Sequence, residues 1–390
     1  MPVLPPENPK EILKIAVVGA GYRSEAHLSS LAKLTDLYRL VAVCDTFAER
    51  AQEAAQRCGV SAYTDLESML KAQRPDVVLI TVPPEAHHPV AELAASYKAH
   101  LLCETPISVT RGYAQRMVRA AAENGVKLEV TENVWRWPHE RFKRMLVDAG
   151  MIGEVQTARL WYTSGSYHGV NAIRTLIGGN ARRVVGMAKV LDAPLARRGC
   201  DPNLFRIFAP AGAQLPRRFT ESTKATWEAG LIEFDTGAVA LYEFPILSRP
   251  RGNWWEIMGD NGYISGFDVM SGGESFRIVP ESEEKNGRKV LTRVRLMAGD
   301  KPASDLVWEN PFLRYAPEDA DDVARIDQLV GIYRAATEGI EPEYGAASAI
   351  KDIEILIAVR ESALRGNRPV ELPLGEETEY ERRVASFYNR

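Results

Sequence analysis

The sequence predicts an α/β protein: an N-terminal doubly wound parallel sheet, then an α+β region built on an open, mainly antiparallel sheet. Three observations carry this expectation. Leu13 to Val18 is an unbroken apolar run that ends in Gly19-Ala20-Gly21-Tyr22-Arg23-Ser24, after which Leu28, Leu31 and Leu34 recur at helical spacing. Strand-like and helical runs then alternate as far as Val130, the rhythm of a doubly wound fold. From Gly153 onward the apolar runs are joined by tight turns such as Asp235-Thr236-Gly237 and Asp260-Asn261-Gly262, as antiparallel strands are.

The first run reads as strand, glycine turn and helix. Gly19 can adopt the backbone angles of a sharp turn, Gly21 lets the main chain approach a pyrophosphate, and the new helix aims its unpaired N–H groups at the phosphates. Ser24 stands at the third glycine position of the G-x-G-x-x-G pattern and is small enough for close helix-strand packing. Taken alone, the pattern fits an ordinary turn equally well; the strand before it and the helix after it favour a dinucleotide.

A second strand, Leu40 to Cys44, ends in Asp45, and a helix follows from Phe47 to Cys58, closed by Gly59. A carboxylate at this point can accept both hydroxyls of an adenosine ribose and repels a 2'-phosphate, so NAD is expected over NADP. Asp45 can equally cap the next helix. Thr64 and Glu67 form a capping-box pattern, Val77 to Val82 is a core strand stopped by Pro83-Pro84, and Glu85 to Ala99 is helical. Strand Leu101 to Cys103, helix Thr110 to Glu123 and strand Val126 to Val130 complete a Rossmann domain over residues 1–133. Ligands of such sheets lie at the carboxyl ends of the strands. Those ends are Gly19, Asp45, Thr81-Val82-Pro83, Glu104-Thr105-Pro106 and Glu132-Asn133.

Residues 134–390 read as the α+β substrate and oligomerisation domain. Its strands are Val155 to Ser164, Arg182 to Val190, Thr226 to Phe234, Ala238 to Phe244, Trp254 to Gly259 and Lys289 to Met297. Helices are expected at Gly169 to Ile177, Asp321 to Ala336 and Ala347 to Leu364, and Asp192 to Ser222 has no clear periodicity, as in a lid or a surface excursion.

Bulk properties narrow the classes. At 390 residues the chain fits two domains, and a net charge of −4 gives no electrostatic case for nucleic acid. The Arg pairs at Arg182, Arg197 and Arg217 read as solvated loops. No apolar run reaches membrane-spanning length, and the proline-rich Met1 to Lys10 has no secretory core, so a cytoplasmic enzyme is expected. The four cysteines lack paired spacing, and His87, His88 and His100 lack carboxylates or thiols at ligand spacing, so no metal is expected. Unpaired sheet faces favour a homodimer or homotetramer.

The motifs together resemble the Gfo/Idh/MocA family of sugar and cyclitol dehydrogenases. Gly19 to Ser24 with His27 is similar to its cofactor turn, Thr81-Val82-Pro83 with His87 to its T-x-P and downstream histidine, and Glu104-Thr105-Pro106 to its Glu-Lys-Pro. Trp135-Arg136-Trp137-Pro138 occupies its Arg-aromatic-Pro region, and Ser164 to Gly178 resembles the start of its second-domain helix. The resemblance implies that Gly19, Ala20, Gly21, Tyr22, Arg23, Ser24, Asp45, Thr81, Val82, Pro83, His87, Glu104, Thr105 and Asn133 bind the cofactor. It also implies departures at the catalytic positions: Thr105 replaces the family lysine, Tyr167 its aspartate and Asn171 its histidine, with His168 alongside. Because Thr105 cannot hold charge near neutral pH, Tyr167 or His168 is the expected proton carrier. Arg136 and Arg174 could pair an acidic substrate or a structural carboxylate. Three activities stay open on these residues. They are NAD-dependent oxidation of a sugar or cyclitol CH–OH, lyase or glycosidase chemistry through a resident NAD, and non-catalytic nucleotide or sugar binding.

Overall fold

The computed structural model describes residues 4–161, 166–193, 201–215, 224–244, 254–285 and 287–388. Six parallel strands, β1 (Leu13–Val18), β2 (Tyr38–Cys44), β3 (Ser61–Tyr63), β4 (Val77–Ile80), β5 (His100–Cys103) and β6 (Leu128–Val130), alternate with five helices. These are α1 (Tyr22–Leu31), α2 (Ala48–Cys58), α3 (Leu66–Gln73), α4 (His87–Ser96) and α5 (Arg111–Asn124). The strand order is β3-β2-β1-β4-β5-β6, so the order reverses between β1 and β4. That reversal opens a crevice at the carboxyl ends of the strands. All four residues of β4 are fully buried, as expected of a strand covered on both faces.

A second, mixed sheet contains β7 (Val155–Trp161), β8 (Ala181–Asp192), β9 (Lys224–Phe234), β10 (Val239–Phe244), β11 (Trp254–Gly259), β12 (Gly262–Ser265), β13 (Asp268–Ser271), β14 (Glu274–Lys285), β15 (Arg288–Ala298), β16 (Lys301–Glu309) and β17 (Val370–Glu371). Its order is β16-β15-β14-β13-β12-β11-β7-β10-β9-β8-β17, and β7 and β10 pair in parallel. The later helices are α6 (Pro138–Asp148), α7 (Ser166–Ile177), α8 (Pro202–Phe208), α9 (Ala320–Glu338), α10 (Ala346–Leu364) and α11 (Glu379–Tyr388). The chain forms two compact units. The first comprises Met1–Pro138, Pro280–Arg293 and Glu309–Ile350, and the second His139–Val279, Val294–Trp308 and Lys351–Arg390. In the second unit, Met187, Leu231, Val239, Leu241 and Met258 are exposed, and Leu231 lies directly across from Leu241. No helix of the described residues is long and apolar enough to cross a membrane.

Several local expectations change. Helix α3 is capped by Asp65, whose carboxylate accepts from Ser68 N–H at 2.7 Å, and not by the Thr64 and Glu67 pair. Helix α7 starts at Ser166, before Gly169. The stretch expected to lack structure contains α8, with Asp201 accepting from the N–H groups of Asn203 and Leu204 and Pro202 at the first turn. Residues 162–165, 194–200 and 216–223, which hold part of the expected β7, Cys200 and the Arg197 and Arg217 pairs, lie outside the described residues. Strands β12, β13, β14 and β16 and helices α6 and α11 were not anticipated. β14 carries six charged residues and Pro280, which hide its alternation.

Candidate functional site

The crevice has a volume of about 670 Å³ and lies wholly in the first unit. Its centre is the glycine turn after β1. Gly19 takes φ +99°, and a Cβ there would stand 2.7 Å from the Thr81 carbonyl carbon and 2.8 Å from Val82 N, so only glycine lets the two strand ends approach this closely. A Cβ on Gly21 would meet nothing within 4 Å, so the crevice is open above it. Gly21 is the N-cap of α1, and no side chain caps that helix. The open space and the uncapped first turn fit a pyrophosphate. Ser24 is buried, and its hydroxyl donates to Gly21 O at 2.7 Å, which fastens the turn where the third glycine would pack.

Asp45 bridges two turns. Its Oδ2 accepts from Ala20 N–H at 2.7 Å and its Oδ1 from Phe47 N–H at 2.8 Å, while the carboxylate lines the crevice. The N-cap position of α2 belongs to Phe47, so Asp45 braces the glycine turn from the second strand. Arg50, not anticipated, also lines the crevice, with its guanidinium 4.4 Å from the Phe47 ring centroid. Thr81, Val82 and Pro83 form the opposite wall, and Thr81 Oγ1 donates to Gly19 O at 2.6 Å. His87 is fully buried outside the lining and donates from Nε2 to Val82 O at 2.8 Å, bracing that wall from behind. Burial pushes its pKa down. The other histidines have neighbours of their own: His88 stacks on Tyr113, and His100 Nδ1 accepts from Lys127 N–H.

Glu104 and Thr105, at the end of β5, line the same crevice. Glu104 is buried and accepts from Arg23 Nε at 2.5 Å, from His27 Nε2 at 2.6 Å and from Thr105 N–H at 3.0 Å, with the Thr105 hydroxyl 3.5 Å away. Burial opposes its charge, but the His27 hydrogen bond, the Arg23 guanidinium and the Thr105 N–H outweigh it and hold the carboxyl well below the usual range. Burial also lowers His27, so its ring is neutral and the cation of the cluster is Arg23. Asn133, after β6, donates from Nδ2 to Asp321 Oδ1 at 2.7 Å, and Trp137 Nε1 donates to the same oxygen at 2.6 Å. Asp321, on the first turn of α9, gives no local signal in the sequence.

Tyr167, His168 and Asn171 belong to α7 of the second unit. Tyr167 is buried and meets His168 edge-on, with centroids 6.0 Å apart. Asn171 is fully buried and donates from Nδ2 to Asp352 Oδ2 at 2.8 Å, and Arg174 pairs with the same carboxylate through Nε and Nη2. Arg174 therefore has a structural partner, as does Arg136, whose buried Nη2 donates to Glu129 Oε1 at 2.6 Å. The start of α7 is held by Arg360, which sequence reasoning missed: it donates to Glu228, Tyr380, Asp201 and Ser166 at 2.8–3.2 Å.

The fold and crevice define a dinucleotide-binding α/β protein. A family model described as "Oxidoreductase family, NAD-binding Rossmann fold" matches residues 13–132. D-glucoside 3-dehydrogenase of Escherichia coli K12 is 31% identical over 252 residues, 59% of this chain and 69% of that protein. Inositol 2-dehydrogenase of Salmonella paratyphi B is 32% identical over 145 residues, 36% of this chain and 43% of its own length, so the chain matches less than half of that relative. Among solved structures, WlbA dehydrogenase of Bordetella pertussis, in complex with NADH and UDP-GlcNAcA, superposes with a TM-score of 0.68 at 18% identity, over 94% of this chain and 99% of that one. The chain belongs to the Gfo/Idh/MocA oxidoreductase family.

Proposed function

We propose that this protein is an NAD-dependent dehydrogenase of a sugar or cyclitol hydroxyl. The observation that carries the reading is the braced glycine turn: open space above Gly21, an uncapped α1 and the Asp45 carboxylate share one crevice. The relatives named inositol 2-dehydrogenase and D-glucoside 3-dehydrogenase support the substrate class. A bound NAD would supply a hydride acceptor. Gly21 and the first turn of α1 would hold its pyrophosphate, and Asp45 its adenosine ribose.

The negative charge of Asp45 opposes a 2'-phosphate, whereas Arg50 favours one. We weight the carboxylate more heavily because the Arg50 guanidinium is already engaged over Phe47. Thr105 can orient a hydroxyl but cannot carry its proton, so Tyr167 or His168 is the proposed proton carrier, and Asn171 holds their helix to Asp352. The exposed strip around Leu231 and Leu241 is the proposed face of a homodimer or homotetramer. Light scattering checks this, and a monomer at micromolar concentration refutes it.

Calorimetric titration with NAD and NADP, followed by single-turnover NADH formation on a panel of sugars and cyclitols, tests the central reading. Tighter NAD binding and reduction by at least one polyol are expected. Absence of dinucleotide binding overturns it.

A further inference from the structure

Oxidising a hydroxyl breaks its O–H bond and sends a hydride from the carbon to the nicotinamide, so negative charge gathers on the substrate oxygen as the proton leaves. A fixed cation aimed at that oxygen is usually the largest single source of rate. Thr105 is neutral, His27 is neutral, and Glu104 is an anion. The cation among them is Arg23. Its side chain is 36% exposed and lines the crevice together with Thr105. Nε is fixed on Glu104 at 2.5 Å, and among the described residues neither terminal nitrogen hydrogen-bonds to the protein. Burial alone would lower its pKa; Glu104 first, then Asp321 and Glu132, raise it and keep the guanidinium charged. Its orientation is set at one edge, and the other edge, with its donors, is left for a ligand.

We propose that Arg23 is a catalytic residue, donating from its two terminal nitrogens to the substrate oxygen at the Thr105 end of the crevice. The inference rests on the dehydrogenase reading above and assigns its oxyanion contact. Arg23 stays protonated throughout. The hydroxyl proton passes to a separate carrier, the hydride passes to the nicotinamide dinucleotide, and one carbonyl and one reduced cofactor result.

The test compares Arg23→Gln and Arg23→Lys with the unmodified chain. Three quantities are measured: cofactor affinity by calorimetry, single-turnover NADH formation on the polyol panel, and binding of D-gluconate to the NAD-loaded protein. The gluconate carboxylate stands in for the developing alkoxide. Arg23→Gln should slow the single turnover by about a hundredfold or more, with NAD affinity changed by about threefold or less. Arg23→Lys should recover to within about tenfold, because charge is the essential property. Gluconate should bind the unmodified and Lys forms and lose about tenfold or more in affinity for the Gln form.

Normal turnover by Arg23→Gln overturns the proposal, as does unchanged gluconate binding. A loss of NAD affinity as large as the loss of rate also overturns it and makes Arg23 a pyrophosphate ligand. If no polyol reduces the cofactor but gluconate binding still depends on Arg23, the dehydrogenase reading fails and the cation site stands. If the unmodified protein neither turns over nor binds gluconate, both fall.

Discussion

The crevice of the first unit and the base of α7 in the second are built in opposite ways. The crevice is organised by backbone: the three-residue turn Gly19–Gly21, the carboxyl ends of β1, β2, β4 and β5, and two carboxylates at those ends, Asp45 and Glu104. The base of α7 is mostly side chain. Arg360 gathers Ser166, Asp201, Glu228 and Tyr380, and Tyr242 donates to Glu228 at 3.0 Å, so its members come from five separate elements and the N-cap of a sixth. A backbone site is sensitive to single atoms at close approaches. A side-chain network is sensitive to charge, because removing one member leaves the others buried and unpaired.

Four substitutions sharpen that contrast, from the largest expected effect to the smallest. Gly19→Ala should abolish measurable NAD binding, since the new methyl group collides with the Thr81 backbone at a positive φ. Calorimetry would show this, and near-normal affinity would mean that the strand ends can separate. Arg360→Leu should destabilise the second unit by about 3–5 kcal/mol, because Glu228 is left buried without its cation. Urea unfolding measures this, and NAD affinity should not change.

Burial, relieved in part by Arg136, raises Glu129 to about 7. The folded value lies above the ordinary glutamate value near 4.3, so the unfolded chain releases this proton first. Stability from this group is therefore complete below about pH 4 and is lost progressively as pH rises to about 7, by about 3 kcal/mol. Glu129→Gln should flatten that slope in denaturation curves collected across the window. Asp45→Ala should narrow the preference for NAD over NADP by about tenfold, a loss of about 1.4 kcal/mol in discrimination, read by titrating both cofactors.

The same contrast explains what the sequence made legible. The glycine turn, the acidic end of β2 and the strands β1, β2, β4, β5 and β6 are local in sequence, and the structure has their ends within two residues of their expected places. Thr105 is legible only through the family resemblance, in which Glu104 and Pro106 mark the position of the family lysine. Asp321 was not identified: its position is defined by Asn133 and Trp137, which lie 188 and 184 residues away. Asp352 and Arg360 were missed for the same reason, as charged residues inside a long helix look like a solvated face until their buried partners are known. The helix boundary at Ser166 was missed because Gly169, a poor helix former, lies within the first turn.

Asp45 carries a consequence for anyone who would re-engineer the cofactor. One of its oxygens accepts from the Ala20 N–H and the other from the Phe47 N–H, so the carboxylate proposed to choose the dinucleotide also fastens the glycine turn that would seat it. Replacing it to admit a 2'-phosphate therefore unfastens the glycine turn at the same moment. A clean switch in selectivity needs a polar residue at 45 that still accepts from Ala20, such as serine or asparagine, before any new cation is added nearby. On that reading, cofactor selectivity and the shape of the glycine turn cannot be altered independently at position 45.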